Sequence, residues 1–106
     1  MKFKVEYTKR AIRDLKRLSF NLQKHILQET LKLESNPFPF KKKVKRIQAI
    51  KFPCYRLRID SGSDSYRVFY GLDNEIIFIL RIISKKEADK ILKNLKHIEF
   101  PPPQST

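Results

Sequence analysis

Three stretches between residues 54 and 83 are rich in β-branched and aromatic side chains and are separated by short polar segments. The breaks fall at residues 60–64 and 73–74, which consist mainly of Gly, Ser, Asp and Asn. Turn-forming residues that interrupt apolar runs of this length are typical of consecutive antiparallel strands. The pattern therefore predicts a three-stranded meander over residues 54–59, 66–70 and 76–83.

The first third of the chain changes from strand to helix periodicity. Residues 2–7 alternate polar and apolar positions, as a half-buried strand does. Thr8 is a predicted N-cap, and the helix after it has an apolar face at Ala11, Ile12, Leu15 and Leu18. A second helix is expected from residues 19–21 to about residue 34, with an inward face at Leu22, Ile26, Leu27 and Leu31. A link this short predicts an antiparallel helical hairpin.

The C-terminal part contains one further helix. Ser84 and Glu87 have capping-box spacing, and an apolar face follows at Ala88, Ile91, Leu92 and Leu95. The prolines after Phe100 end any helix, so residues 101–106 are predicted to be a flexible tail on one domain of residues 1–100. The predicted fold is α+β, in the order β-α-α-β-β-β-α, with an antiparallel-rich four-stranded sheet and the helical hairpin on one face.

Strand alternation groups the arginines of the meander. Arg56 and Arg58 share one face of their strand, and an antiparallel turn that pairs apolar with apolar positions places Arg67 on that face too. Phe69 falls on the same face and is a candidate for stacking on a base. The face of Arg81 depends on the register of the second turn; a buried ion pair with Asp73 or Glu75 is the alternative to RNA binding.

The charge balance indicates a polyanionic partner. The 106 residues contain 24 Lys and Arg against 11 Asp and Glu, a formal charge of +13. Candidate RNA-binding cations, which could equally form a solvated surface, are Lys41, Lys42, Lys43, Lys45, Arg46, Lys51 and Lys86. A single cysteine, Cys54, and two histidines predict no disulfide, metal or cofactor, and the absence of a long apolar run predicts a cytoplasmic protein without a membrane partner.

Three segments carry a resemblance to a known family: Tyr55-Arg56-Leu57-Arg58, Tyr66-Arg67-Val68-Phe69-Tyr70 and Leu80-Arg81-Ile82-Ile83-Ser84-Lys85-Lys86. With the order of elements, they resemble the RelE/ParE superfamily of toxin-antitoxin toxins. The resemblance implies a metal-independent endoribonuclease that cleaves mRNA in the ribosomal A site and inhibits translation. It assigns catalytic roles to Arg56, Arg58, Arg67 and Lys85. It also implies a cognate antitoxin with an acidic or amphipathic segment, and contact with DNA only through that antitoxin.

Two other functions remain open at this point. Many members carry His-Arg where this chain has Ser84 and Lys85, and many carry a later tyrosine where this chain has residues 88–91 without one. These departures favour a ParE-like inhibitor of DNA gyrase that cuts no RNA. The third alternative is a basic nucleic-acid-binding module with impaired catalysis. For a nuclease, arginine can stabilise the phosphorane but cannot take a proton, so the base must be a lysine with a lowered pKa, a tyrosine, a carboxylate or the ribosomal RNA. Lys51 and Lys85 are the candidate lysines in this chain.

Overall fold

The computed structural model describes residues 2–103. Within that range the elements are β1 (Lys4–Tyr7), α1 (Lys9–Lys16), α2 (Phe20–Leu31), β2 (Val44–Arg46), β3 (Cys54–Ser61), β4 (Asp64–Asp73), β5 (Ile76–Ser84) and α3 (Ala88–Leu95). Short 3-10 turns at Lys32–Glu34 and Lys85–Glu87 follow α2 and β5. Across residues 2–103, no helix is both long and apolar enough to span a bilayer.

The strands form one mixed sheet in the order β1-β5-β4-β3-β2. β1 runs parallel to β5, and the other neighbours are antiparallel. The α+β class and the meander are confirmed, whereas the expected number of four strands is wrong. The fifth strand, β2, lies in the basic segment and has only three residues, so no alternation pattern could reveal it. It becomes a strand because Val44 is buried on the core opposite Leu57.

One face of the sheet is covered by α1 and α2. Ala11, Leu15 and Ile26 pack on a layer from the central strands that includes Leu57, Val68, Tyr70, Ile77 and Ile79. α1 lies mainly on β5 and α2 on β3, and each helix contacts the sheet more extensively than it contacts the other. Thr8 and Ser19 accept hydrogen bonds from the first turns of these helices, so both predicted N-termini are confirmed.

The inward face of α2 differs from the expected one. Leu27 and Leu31 are exposed, whereas Glu29 and Thr30 are buried. Polar groups at these positions have partners: the Tyr7 hydroxyl is 2.5 Å from Thr30 Oγ1, and Glu29 pairs with Lys32 and Lys43. The helix is therefore oriented by hydrogen bonds that hydrophobic periodicity alone does not reveal.

A second core lies on the opposite face of the sheet, under α3. Ile91 and Leu95 pack there with Phe69, Phe78 and Leu80. Phe100 stacks on Phe52, with ring centroids 4.1 Å apart, and the pair covers Gly71. The segment just before the expected tail is thus part of the core, while residues 104–106 of that tail and Met1 of the expected domain lie outside the described residues.

The start of the third helix also departs from the expected capping box. Ser84 Oγ donates to the Glu87 carboxylate at 3.3 Å and does not cap a backbone N–H. A 3-10 turn follows β5, and α3 begins only at Ala88. This turn carries Lys85 and Lys86 at the end of the sheet.

Candidate functional site

Four cations share the face of the sheet on which α3 packs. Arg58 lies directly opposite Arg67, and Arg56 is flanked by Phe69 on β4 and Lys45 on β2. Residues opposite each other in register project from the same face, about 4.5–5.5 Å apart at Cβ. The predicted grouping of the three meander arginines is confirmed, and β2 adds a lysine to it. We call Lys45, Arg56, Arg58 and Arg67 the arginine face.

The arginines differ in exposure. Arg58 is exposed and Arg56 is half-buried, whereas Arg67 is only 6% exposed. Arg67 Nη1 donates to Ser65 Oγ at 2.7 Å and to the Tyr66 carbonyl at 3.1 Å. Burial lowers the pKa of Arg67, and repulsion from Arg56 and Arg58 lowers it further. A guanidinium remains charged despite such a shift, so crowded cations make this face favourable for a bound anion.

One carboxylate lies beside this group. Asp60 accepts hydrogen bonds from Arg58 Nε at 3.1 and 3.3 Å and from Ser65 Oγ at 2.8 Å. The hydrogen bonds from Ser65 and Arg58 hold the pKa of Asp60 below its usual value. Asp60 was not among the predicted site residues, although its alternation with Arg56 and Arg58 on the same strand indicates that it shares their face.

The remaining sequence-predicted cations occupy different surroundings. Lys85 and Lys86 are exposed in the turn after β5, which contacts β4, and Lys41, Lys42 and Lys51 are exposed in the segments flanking β2. Lys43 is ion-paired with Glu29 on α2. Arg46 alternates onto the opposite face of β2, where its guanidinium carbon lies 6.0 Å from the centre of the Tyr55 ring. The cations of the basic segment therefore do not form one continuous surface.

Two predicted RNA contacts need correction. Phe69 is on the expected face but is 1% exposed beneath α3, so its ring has no open side for a base. Arg81 donates from Nε to Asp14 Oδ2 at 2.8 Å and from Nη2 to Oδ1 at 3.3 Å. A bulge leaves Leu80 without a partner on β4, and the same Asp14 oxygen accepts from the Ile82 amide at 3.0 Å. The ion pair expected as the alternative exists, with Asp14 in place of Asp73 or Glu75.

A cleft of about 380 Å³ adjoins the arginine face at the edge of β3. Arg58 and Asp60 line it together with His25, Glu29, Lys42 and Lys43. β2 ends its pairing opposite Leu57, so the last residues of β3 are not covered by a neighbouring strand on this side. The cleft brings α2 next to the cations of the sheet.

Solved structures with the same fold are toxins of toxin-antitoxin pairs. A double-arginine mutant of the E. coli toxin RelE in the free state superposes with a TM-score of 0.70 at 15% identity, covering 90% of this chain and 95% of that chain. The archaeal RelE–RelB complex from Pyrococcus horikoshii OT3 gives 0.65 at 25% identity, covering 80% and 97%. The RelBE2 complex from Mycobacterium tuberculosis gives 0.66 at 20% identity, covering 80% and 100%. The architecture is that of a RelE-like toxin.

The sequence itself places the chain in a family. A family model described as the ParE toxin of the type II toxin-antitoxin system parDE matches residues 5–89. No curated protein sequence matches the chain significantly. The chain belongs to this ParE toxin family, within the RelE/ParE superfamily of type II toxin-antitoxin toxins. Similar structures that contain an antitoxin support a cognate antitoxin as the partner of this toxin.

Proposed function

We propose that this toxin is a ribosome-dependent mRNA endoribonuclease that inhibits translation in the cytoplasm. The observation that carries the proposal is the arginine face, where Arg58 and Arg67 stand directly opposite each other and Lys45 and Arg56 flank them. Guanidinium groups bind phosphate oxygens bidentately, so neighbouring arginines can grip one phosphodiester. The net charge of +13 supports a polyanionic target, and the fold is shared with RelE toxins.

The chemistry follows from the kind of groups present. The ribose 2′-hydroxyl gives its proton to a base and its oxygen attacks the adjacent phosphorus, which builds negative charge on a phosphorane that fixed cations stabilise. The bond from phosphorus to the 5′-oxygen then breaks, the 5′-oxygen takes up a proton, and a 2′,3′-cyclic phosphate remains. Arg56, Arg58 and Arg67 supply that stabilisation. Lys85 follows β5 directly, and its turn contacts β4, so it is better placed than Lys51 to assist a proton transfer. The substrate would be mRNA in the ribosomal A site, and contact with DNA would come only through the antitoxin.

The exposed residues of the arginine face allow a clean test. The chain is expressed from a tightly repressed promoter, and 5′ ends are mapped on translated transcripts. We expect growth arrest with codon-phased cuts in the wild type, and loss of both in Arg58→Ala. Arg67→Lys keeps a charge in the buried position but loses the bidentate geometry, so cutting should also fall. Arg13→Ala removes the same charge from the exposed surface of α1 and serves as the matched control.

Other outcomes would point elsewhere. Relaxed plasmids with intact transcripts would replace the nuclease with gyrase inhibition. Cuts that persist at wild-type rate in Arg58→Ala and Arg67→Lys would refute the role of the arginine face. Healthy growth with intact transcripts and normal supercoiling would refute the toxin activity and leave a nucleic-acid-binding module.

A further inference from the structure

Asp60 and Ser65 form a hydrogen-bonded chain that ties two arginines of the arginine face together. Asp60 lies opposite Ser65 in the row next to Arg58 and Arg67, so all four side chains project from the same face. Arg58 Nε donates to Asp60, Ser65 Oγ donates to Asp60 at 2.8 Å, and Arg67 Nη1 donates to Ser65 at 2.7 Å. Each link has a normal hydrogen-bond length.

These hydrogen bonds hold together two arginine side chains that electrostatic repulsion would separate. Arg58 and Arg67 are like charges directly opposite on neighbouring strands, an arrangement that repels and would splay two free side chains apart. A long arginine side chain also carries several rotatable bonds, whose freedom is lost on binding an anion. The Asp60 carboxylate accepts a hydrogen bond from Arg58 and, through the Ser65 hydroxyl, holds Arg67. It thereby reduces both the repulsion and the side-chain freedom before a ligand binds.

We propose that Asp60, acting through Ser65, is a positioning residue that holds Arg58 and Arg67 in the orientation needed to grip one phosphodiester. The inference rests on the proposed nuclease function for its catalytic consequence, but the orientation itself is independent of that function. Asp60 also adds a negative charge beside the bound phosphate. In ground-state binding of RNA this repulsion outweighs the benefit of ordered arginines, whereas in the transition state the orientation of the arginines matters more. Removal of this carboxylate should therefore tighten binding and slow cleavage, a combination that simple loss of structure does not produce.

Asp64 provides a matched control. It lies at the other side of the same turn, is exposed, and makes no side-chain hydrogen bond or ion pair within residues 2–103. Asp64→Asn removes one negative charge from the same turn, on the opposite face of β4, without touching the chain of hydrogen bonds. Ser65→Ala makes the converse change, since it breaks the link to Arg67 and leaves every charge in place.

The test combines three measurements on the full chain. Affinity is measured by fluorescence anisotropy with a short RNA that carries 2′-O-methyl groups and cannot be cut. Cleavage is measured in single turnover on ribosomes carrying mRNA. The order of the arginines is followed by hydrogen exchange of their Nε–H groups in ¹⁵N NMR spectra.

We expect Asp60→Asn to bind the uncleavable RNA about two- to threefold more tightly, and Asp64→Asn, whose charge lies on the opposite face of β4, to bind it with nearly wild-type affinity. Of the two Asp→Asn variants, only Asp60→Asn should lose about tenfold or more in cleavage rate and show faster hydrogen exchange at Arg58 Nε. Ser65→Ala should slow cleavage without tighter binding, and Asp60→Glu should restore part of the rate.

Equal cleavage by Asp60→Asn and Asp64→Asn, or unchanged Nε exchange in Asp60→Asn, would overturn the positioning role. If the wild type cuts no mRNA, the proposed function fails, but the exchange and affinity measurements still decide whether Asp60 orders the arginines.

Discussion

The Asp14 carboxylate should be the polar group whose removal costs this fold the most stability. Its side chain is 6% exposed and that of Arg81 is 15% exposed. Asp14→Ala leaves the guanidinium without its partner and removes the acceptor of the Ile82 amide. Loss of one member of a buried ion pair costs about 3–5 kcal/mol. For a domain of this size, that lowers the melting temperature by roughly 12 °C or more.

Urea and thermal unfolding followed by far-UV circular dichroism measure this cost. Arg10→Ala is the control, because the Arg10 side chain is 45% exposed and its Nε lies 3.9 Å from Asp14. Because Arg10 is exposed and its contact with Asp14 is long, this contact should contribute less than about 1 kcal/mol. The double variant Asp14→Leu with Arg81→Met removes both charges and should be more stable than Asp14→Ala. If Asp14→Ala costs no more than Arg10→Ala, the pair is not a buried structural contact.

Three further outcomes are expected. Gly71→Ala should lower the free energy of unfolding by about 1–3 kcal/mol, because its Cβ would lie 2.5 Å from a ring carbon of Phe100. In a Phe100→Ala background, urea titration should show that the same substitution lowers the free energy of unfolding by less. Burial raises the pKa of Cys54 to about 12, so at pH 8 a thiol reagent should modify it only in urea, and fast labelling of the native protein would contradict its burial. Burial alone would raise the pKa of Glu29, but hydrogen bonds from Lys32 and Lys43 outweigh it and lower that pKa. The stabilising contribution of Glu29 should thus be complete above its unfolded-state pKa of 4.5 and be lost as the pH falls through its lower folded-state pKa. In acid titrations of stability, Glu29→Gln should show a smaller decline than the wild type.

Strand alternation was the most reliable guide to this molecule. It placed Arg56, Arg58 and Arg67 on one face, because a two-residue period leaves no other arrangement once the turn joins apolar to apolar positions. It could not place Arg81, since the bulge at Leu80 shifts the register of β5 against β4. A bulge depends on what both neighbouring strands require, which a single segment does not encode.

The predictions that were wrong concern residues whose surroundings are set by contacts with distant segments. Hydrophobic spacing put Leu27 and Leu31 inside, whereas partners of Glu29 and Thr30 from distant segments turn α2 the other way. Phe69 was expected to be open because no local pattern indicates that α3 covers its face of the sheet. The arginine face, including the position of Asp60 on it, was therefore predictable from local pattern, while the helix α3 that packs on this face and the edge strand β2 required the tertiary structure.

The pairing of β1 with β5 has a consequence for how the chain can be made. β1 pairs with residues 76–79 of β5, and Asp14 of α1 forms its ion pair with Arg81, so both contacts join segments that are far apart in sequence. During synthesis the N-terminal strand and first helix must wait until most of the chain has emerged. The sheet of this toxin is therefore completed only late in translation, after β5 has emerged.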